Sequence, residues 1–246
     1  MKDPIYHRLV EYDTALLPNR YLATLDRGST TPEDWMRRTG YSIGYPAWGL
    51  LYYSVLCRLD PDDFNLVIET GTNLGCSSII IGQAIRDSRA RGVLHTVEID
   101  EVNFARAKQN IRRAGLQDEI QLHRGDSLEV LPMILREYQS IAMAFLDGDH
   151  RFRQVVDEFE LILPKLKDNS LVLLDNTYGI ASANEDQRVN GALRYILKTH
   201  GGNLVNFPFC SWYTPGMAIW QKRPFEDMMP PAVWRTAGRD REEDRR

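Results

Sequence analysis

The chain has 246 residues, 43% of them hydrophobic and 26% charged, with a formal net charge of −4. That length suits one elaborated α/β domain with a full core. A slightly acidic chain lacks the clustered basic face that nucleic acid requires, and its longest apolar runs fall far short of the roughly 20 residues of a membrane span. Neither nucleic acid nor membrane is an expected partner.

The opening run, MKDPIYHRLVEYD, is polar and carries carboxylates, unlike a signal peptide. Cys57, Cys76 and Cys210 form no CxxC pair, so neither a disulfide framework nor a zinc site is indicated. A cytoplasmic protein is expected.

Residues 1–60 read as a helical N-terminal extension or cap, rich in aromatics at Tyr41, Tyr45, Trp48, Tyr52 and Tyr53. From 61 to 224, strand-like and helix-like periods alternate. Short β-branched runs fall at 65–69, 93–98, 119–123, 141–146 and 170–174. Between the last two, Phe152, Val155, Val156, Phe159, Ile162 and Leu163 make one helical stripe. Arg151, Arg153, Asp157, Glu158 and Glu160 are left to its surface. Phe104, Ala107, Ile111 and Ala114 repeat the pattern more weakly.

Alternation of this kind means βαβ units and a parallel sheet with helices on both faces. After a polar loop at about 176–187 and a helix at 188–199, NLVNFPF and GMAIWQK flank a turn-rich gap. They read as an antiparallel pair added to the sheet. The expected fold is therefore α/β: a doubly wound, mostly parallel, seven-stranded Rossmann-like sheet with a C-terminal antiparallel hairpin. Residues 225–246, ending in RDREEDRR, read as a partly disordered tail.

VIETGTNLGCSS, residues 67–78, follows a buried strand and opens a helix, the place where open α/β sheets bind ligands. A dinucleotide loop, G-x-G-x-x-G, would need glycine at 73 and 76, where Asn73 and Cys76 stand. The pattern is instead E-x-G-x-x-x-G: Glu69, Gly71, then Thr72 and Asn73, then Gly75. A carboxylate ahead of the first glycine would repel a pyrophosphate and suits a cationic amino group. The helix start near Gly75 offers free N–H groups to a carboxylate. Glu98 closes the second strand, where an acid accepts from ribose hydroxyls, and Asp126 follows the third, where an adenine amino group fits. A turn glycine or a solvated acid would explain any one of these alone; together, in order at strand ends, they point to S-adenosylmethionine.

ETGTNLGCSS, TVEID, RGDS, and FLDGDH followed by LLDN resemble the class I S-adenosylmethionine-dependent methyltransferases. More narrowly they are similar to the metal-dependent O-methyltransferases of the macrolide-sugar and catechol types. The resemblance spans roughly 66–176 and implies Glu69, Gly71 and Ser77 at the methionine moiety, Glu98 at the ribose, and Asp126 with Ser127 at the adenine end.

Asp147 after the fourth strand and Asp175 with Asn176 after the fifth lie on neighbouring strands about 4.8 Å apart. They can converge on one ion beside the cofactor, as hard oxygen ligands suited to magnesium, manganese or calcium. The resemblance assigns these three positions to a divalent metal, usually magnesium. His150 is the candidate general base. Asp147-Gly-Asp-His150 matches the D-G-x-H pattern of the macrolide-sugar type, whereas catechol-type members use a nearby lysine, absent from 150–154 here. The plainer readings are that Asp149 caps the following helix and Asp175-Asn176 shapes a turn. His95 and His123, inside strands, read as structural.

The expected activity is O-methyl transfer to a hydroxyl of a small molecule, a sugar-containing metabolite or a phenol, with Tyr178 best placed to touch the acceptor. The alternatives are a cephalosporin-hydroxylase-like enzyme on the same scaffold and a non-catalytic S-adenosylmethionine-binding protein. The first sixty residues can pack on a neighbouring subunit as readily as over their own site, which leaves a homo-oligomer open.

Overall fold

Central strands of a parallel sheet carry continuous apolar runs, because helices cover both faces. The computed structural model describes residues 17–26, 32–40, 47–177, 188–207 and 216–222. Helices α1 (Arg20–Asp26), α2 (Pro32–Thr39) and α3 (Ala47–Arg58) precede β1 (Asn65–Thr70), and α4 (Cys76–Ser88) leads to β2 (Gly92–Glu98). The alternation continues through α5 (Glu101–Ala114), β3 (Ile120–Arg124), α6 (Ser127–Glu137), β4 (Ile141–Leu146), α7 (Phe152–Ile162) and β5 (Leu166–Asp175). It closes with α8 (Val189–His200), β6 (Asn203–Phe207) and β7 (Met217–Gln221). Every residue of β1 and β4 is buried, as the apolar runs require.

The seven strands form one sheet in the order β3-β2-β1-β4-β5-β7-β6. The first five are parallel, and β7 runs antiparallel between β5 and β6. Strand order reverses between β1 and β4, so the chain leaves the sheet in opposite directions there and opens a crevice at the carboxyl ends. On one face Leu66, Ile68, Leu146 and Leu174 pack with residues of α6, α7 and α8. On the other Val67, Phe145 and Leu173 pack with α4 and with Trp48, Leu51 and Val55 of α3. Helix α3 thus completes the core over the sheet. Among the described residues no helix is long and apolar enough to cross a membrane.

Two local readings need correction. The fifth strand starts at Leu166 rather than near Ser170: Leu166 pairs with Ile141, and the register then shifts before Met143 meets Leu171. Asn169 takes a left-handed conformation inside that irregularity, which the local sequence does not announce. Glu158 is not a surface residue of α7 but is 1% exposed. It sits three residues after Val155 and four before Ile162, so the helical period places it at the margin of the apolar stripe, turned under the crevice.

Phe159 anchors α7, fully buried and edge-on to Trp220 of β7 at 4.9 Å between ring centroids. Phe159→Ala is expected to cost about 3–5 kcal/mol of unfolding free energy, read from urea denaturation as a lower midpoint with an unchanged slope.

Candidate active site

The crevice is a cavity of about 630 Å³. Its wall is built from four strand ends: Thr70 to Asn73 after β1, Glu98 and Ile99 after β2, Gly125 to Ser127 after β3, and Asp147 to Arg151 after β4. Asn176 closes it beyond β5, and Ser77, Asn103, Gln154 and Glu158 reach it from helices.

Gly71 makes the crevice possible. Its φ is +84°, and a Cβ there would lie 2.0 Å from the carbonyl oxygen of Asp147, so only glycine lets the two strand ends run side by side. Gly75, at φ 82°, starts α4 with no side-chain cap. Asn73, also left-handed, donates its backbone N–H to Glu98 Oε2 at 2.6 Å, and Asp100 N–H donates to Oε1 at 2.8 Å. Two fixed donors therefore aim this carboxylate while leaving lone pairs for a ligand. Burial pushes the Glu98 carboxyl up, and those N–H groups oppose the shift.

Asp147 and Asp175 bring two carboxyls together: burial and then the Asp147 charge hold Asp175 well above the ordinary aspartate range, while burial and then Glu69 and Glu158 hold Asp147 there against a hydrogen bond from Asp175. Asp175 Oδ1 is buried with no hydrogen-bond partner. Asn176 Nδ2 contacts Asp175 Oδ2 at 3.1 Å and His150 Nε2 at 3.0 Å. The same imidazole nitrogen lies 3.2 Å from Asp147 Oδ1. One nitrogen thus faces a donor and an acceptor, and its tautomer decides which contact is made. Burial depresses the His150 pKa, with Asp175 and Asp149 pulling the other way. Among the described residues no three His, Cys, Asp or Glu side chains gather as a metal cluster. The set read from the sequence is two carboxylates and an amide.

A family of methyltransferase domains matches residues 68–177. A catechol O-methyltransferase of Niastella koreensis is 31% identical over 111 residues, covering 45% of this chain and 48% of the relative. An O-methyltransferase of Aspergillus hancockii is 29% identical over 110 residues, covering 45% and 42%. The matched segment spans about half the length of these relatives. Among solved structures, an O-methyltransferase from Bacillus cereus in complex with SAH superposes with a TM-score of 0.65 at 17% identity, over 87% of this chain and 93% of that one. TomG, an O-methyltransferase from Streptomyces achromogenes in complex with SAM, gives 0.62 at 18%, over 86% and 90%.

The chain has the fold of the class I S-adenosylmethionine-dependent methyltransferases.

Within that methyltransferase fold, the structure sorts the residues singled out by the sequence. Gly71, Thr72, Asn73, Ser77, Glu98, Asp126, Ser127, Asp147, His150 and Asn176 all line the cavity. Asp126 also caps α6, accepting from Leu128 N–H at 2.9 Å. Glu69, Gly75 and Asp175 are not on the wall, and Asp175 is only 2% exposed. Glu69 is fully buried between β1 and α4, where it takes the Ser78 hydroxyl. Trp48, Tyr52 and Tyr53 are also off the wall: Trp48 is core and Tyr52 bonds Asp87 at 2.7 Å. Tyr41, Tyr45, Tyr178 and the loop at 178–187 lie outside the described residues.

His95 is structural, hydrogen-bonded to both His123 and Tyr138 at 2.9 Å. The sequence reading missed Glu158 and Gln154, which reach the cavity from α7. Their i, i+4 spacing beside the buried stripe is the one signal that marks them.

Burial raises the Glu69 carboxyl from 4.5 to about 7, against hydroxyl donation from Ser77, Ser78 and Thr96. An acid whose folded pKa is raised stabilises the fold below its unfolded value, and that stability fades as pH rises to the folded one. Glu69→Gln removes the dependence. The unfolding free energy of the variant minus that of the parent is expected to grow by roughly 3 kcal/mol between pH 4.5 and 7, then level off. A flat difference across that window, by urea denaturation at each pH, would contradict the assignment.

Proposed function

We propose that the protein is an S-adenosylmethionine-dependent O-methyltransferase acting on a hydroxyl of a small molecule, a sugar-containing metabolite or a phenol. The observation that carries this reading is the charge of the cavity. Glu98, Asp126, Asp147, Asp149 and Glu158 line it, against one arginine, Arg151, already ion-paired to Asp149. Such a wall favours a cationic ligand and repels a diphosphate. The cofactor fits the residues present: Glu98 offers lone pairs to ribose hydroxyls, and the uncapped start of α4 offers N–H groups to a carboxylate beside Ser77. When bound, S-adenosylmethionine supplies a methyl group on a positively charged sulfur. The names of the matched relatives, both O-methyltransferases, support oxygen as the acceptor atom.

The residues also fit a divalent cation. Asp175 Oδ1 is buried with no partner, the Asp147 carboxyl lies beside Asp175, and the Asn176 amide, whose Nδ2 contacts Asp175, would turn its oxygen to the ion to complete a hard donor set of the magnesium kind. In this reading Asp147, Asp175 and Asn176 hold the ion, which supplies a lowered pKa to an acceptor hydroxyl. His150 takes the hydroxyl proton on Nε2, the nitrogen nearest Asp147. Its depressed pKa keeps it unprotonated at neutral pH, ready as a base. Positioning does much of the remainder, because displacement at carbon needs the oxygen in line with the methyl group.

Methyl transfer from S-adenosylmethionine to a panel of hydroxylated metabolites tests the reading, with and without EDTA. Activity on at least one sugar or phenol, lost in chelator and restored by magnesium, is expected. Full activity in EDTA would remove the ion from the mechanism, and iron- or oxygen-dependent turnover would favour the hydroxylase-like alternative. His150→Ala is expected to lower kcat about 10²–10⁴-fold while leaving S-adenosylhomocysteine affinity nearly unchanged. An unchanged kcat would dismiss His150 as the base.

A further inference from the structure

Glu158 lies outside the reacting groups, yet it is a nearly fully buried carboxylate on the cavity wall. It accepts the Thr70 hydroxyl on Oε2 at 2.8 Å and the Ser127 hydroxyl on Oε1 at 2.5 Å. Gln154 Nε2 contacts both Glu158 Oε1, at 3.2 Å, and Ser127 Oγ, at 3.0 Å.

Both oxygens of this carboxylate accept a hydroxyl proton, and a carboxylate accepting on both oxygens dictates the polarity of the groups bonded to it. Ser127 has one proton and two lone pairs. Its proton goes to Glu158, one lone pair goes to Gln154, and one lone pair is left. Gln154 must turn its NH₂ toward Glu158 and Ser127, which leaves its carbonyl oxygen as the remaining polar end. Ser127 and Gln154 both line the cavity, beside the acceptor-only Asp126. Ser127, Gln154 and Asp126 therefore offer a ligand acceptors and no donor. Ser127 opens α6 directly after β3, the strand beyond β2 and its Glu98, on the side to which the base of a nucleoside held by Glu98 would extend, and Gln154 and Glu158 reach it from α7.

We propose that Glu158 is a positioning residue for cofactor specificity: by fixing the Ser127 hydroxyl and the Gln154 amide as acceptors, it makes this corner select a purine with an exocyclic 6-amino group over its 6-oxo counterpart. The inference rests on the S-adenosylmethionine reading. An amine presents N–H groups to these lone pairs, whereas a 6-oxo group would set lone pair against lone pair in a confined site. A site built around a hydrogen bond rejects a ligand that leaves it unmade far more strongly than an apolar pocket rejects a misfit.

Calorimetry with S-adenosylhomocysteine and its deaminated analogue, S-inosylhomocysteine, tests this on the intact chain. The parent is expected to prefer the adenosyl compound by at least ~100-fold. Glu158→Gln supplies a side chain that can also donate, which frees the Ser127 hydroxyl to rotate and donate to the 6-oxo group. The preference should then collapse by at least ~10-fold, partly through a gain in inosyl affinity that no general loss of structure would produce. Ser127→Ala, which keeps Glu158 and removes only the acceptor, is expected to narrow the preference by weakening the adenosyl compound alone. Equal affinities in the parent, or an unchanged preference in both variants, would overturn this inference alone. No heat with either ligand would overturn the cofactor reading together with it.

Discussion

Where β1 and β4 part, the backbone of Gly71 runs against the carbonyl of Asp147 with no room for a side chain between them. This contact at the reversal of strand order holds the two strand ends together while their chains leave in opposite directions. The cavity wall then follows. The turn after β1 brings Asn73 onto Glu98, the next helix opens without a cap, and the residues after β4 fall opposite both. A bulkier residue at 71 would displace not one contact but the relation between the loop after β1 and the Asp147–Asp175 pair.

The constraint has an electrostatic consequence. A loop packed this tightly buries acids that water would otherwise solvate, and Glu69, Glu98, Asp147, Glu158 and Asp175 all have carboxyls raised by burial. Concentrating that many acids on and behind the wall of one crevice weakens the fold unless positive charge arrives to meet them. A sulfonium nucleoside with an ammonium group, and a divalent ion between two aspartates, are two ways of supplying it. Clustered, destabilised carboxyls at a sheet's switch point are the mark of a site suited to a cationic ligand.

Much of this was legible in the sequence because it depends on local spacing. The buried runs at 65–69 and 141–146 gave the central strands, and the antiparallel pair near the C-terminus was visible from the turn-rich gap between two apolar runs. The strand-end acids lined up in order, and Glu98, Asp126, Asp147 and Asn176 do share one cavity. What stayed hidden depends on distance in space. Glu158 looks like any charged helix residue until β1 delivers Thr70, and α6 delivers Ser127, to either side of it. Glu69 carries the expected pattern, but strand alternation turns it toward α4 rather than into the crevice, where Ser78 takes it up. The start of β5 depends on a register shift against β4 that leaves no local trace.

The acid-rich crevice is the feature on which the functional account stands, and ligand charge addresses it most directly. Isothermal titration of the purified chain with S-adenosylmethionine and, separately, with NADH compares a cationic nucleoside with a diphosphate in the same cavity. The account predicts saturable binding of S-adenosylmethionine and no measurable heat from NADH. Tight NADH binding with no uptake of S-adenosylmethionine would contradict it.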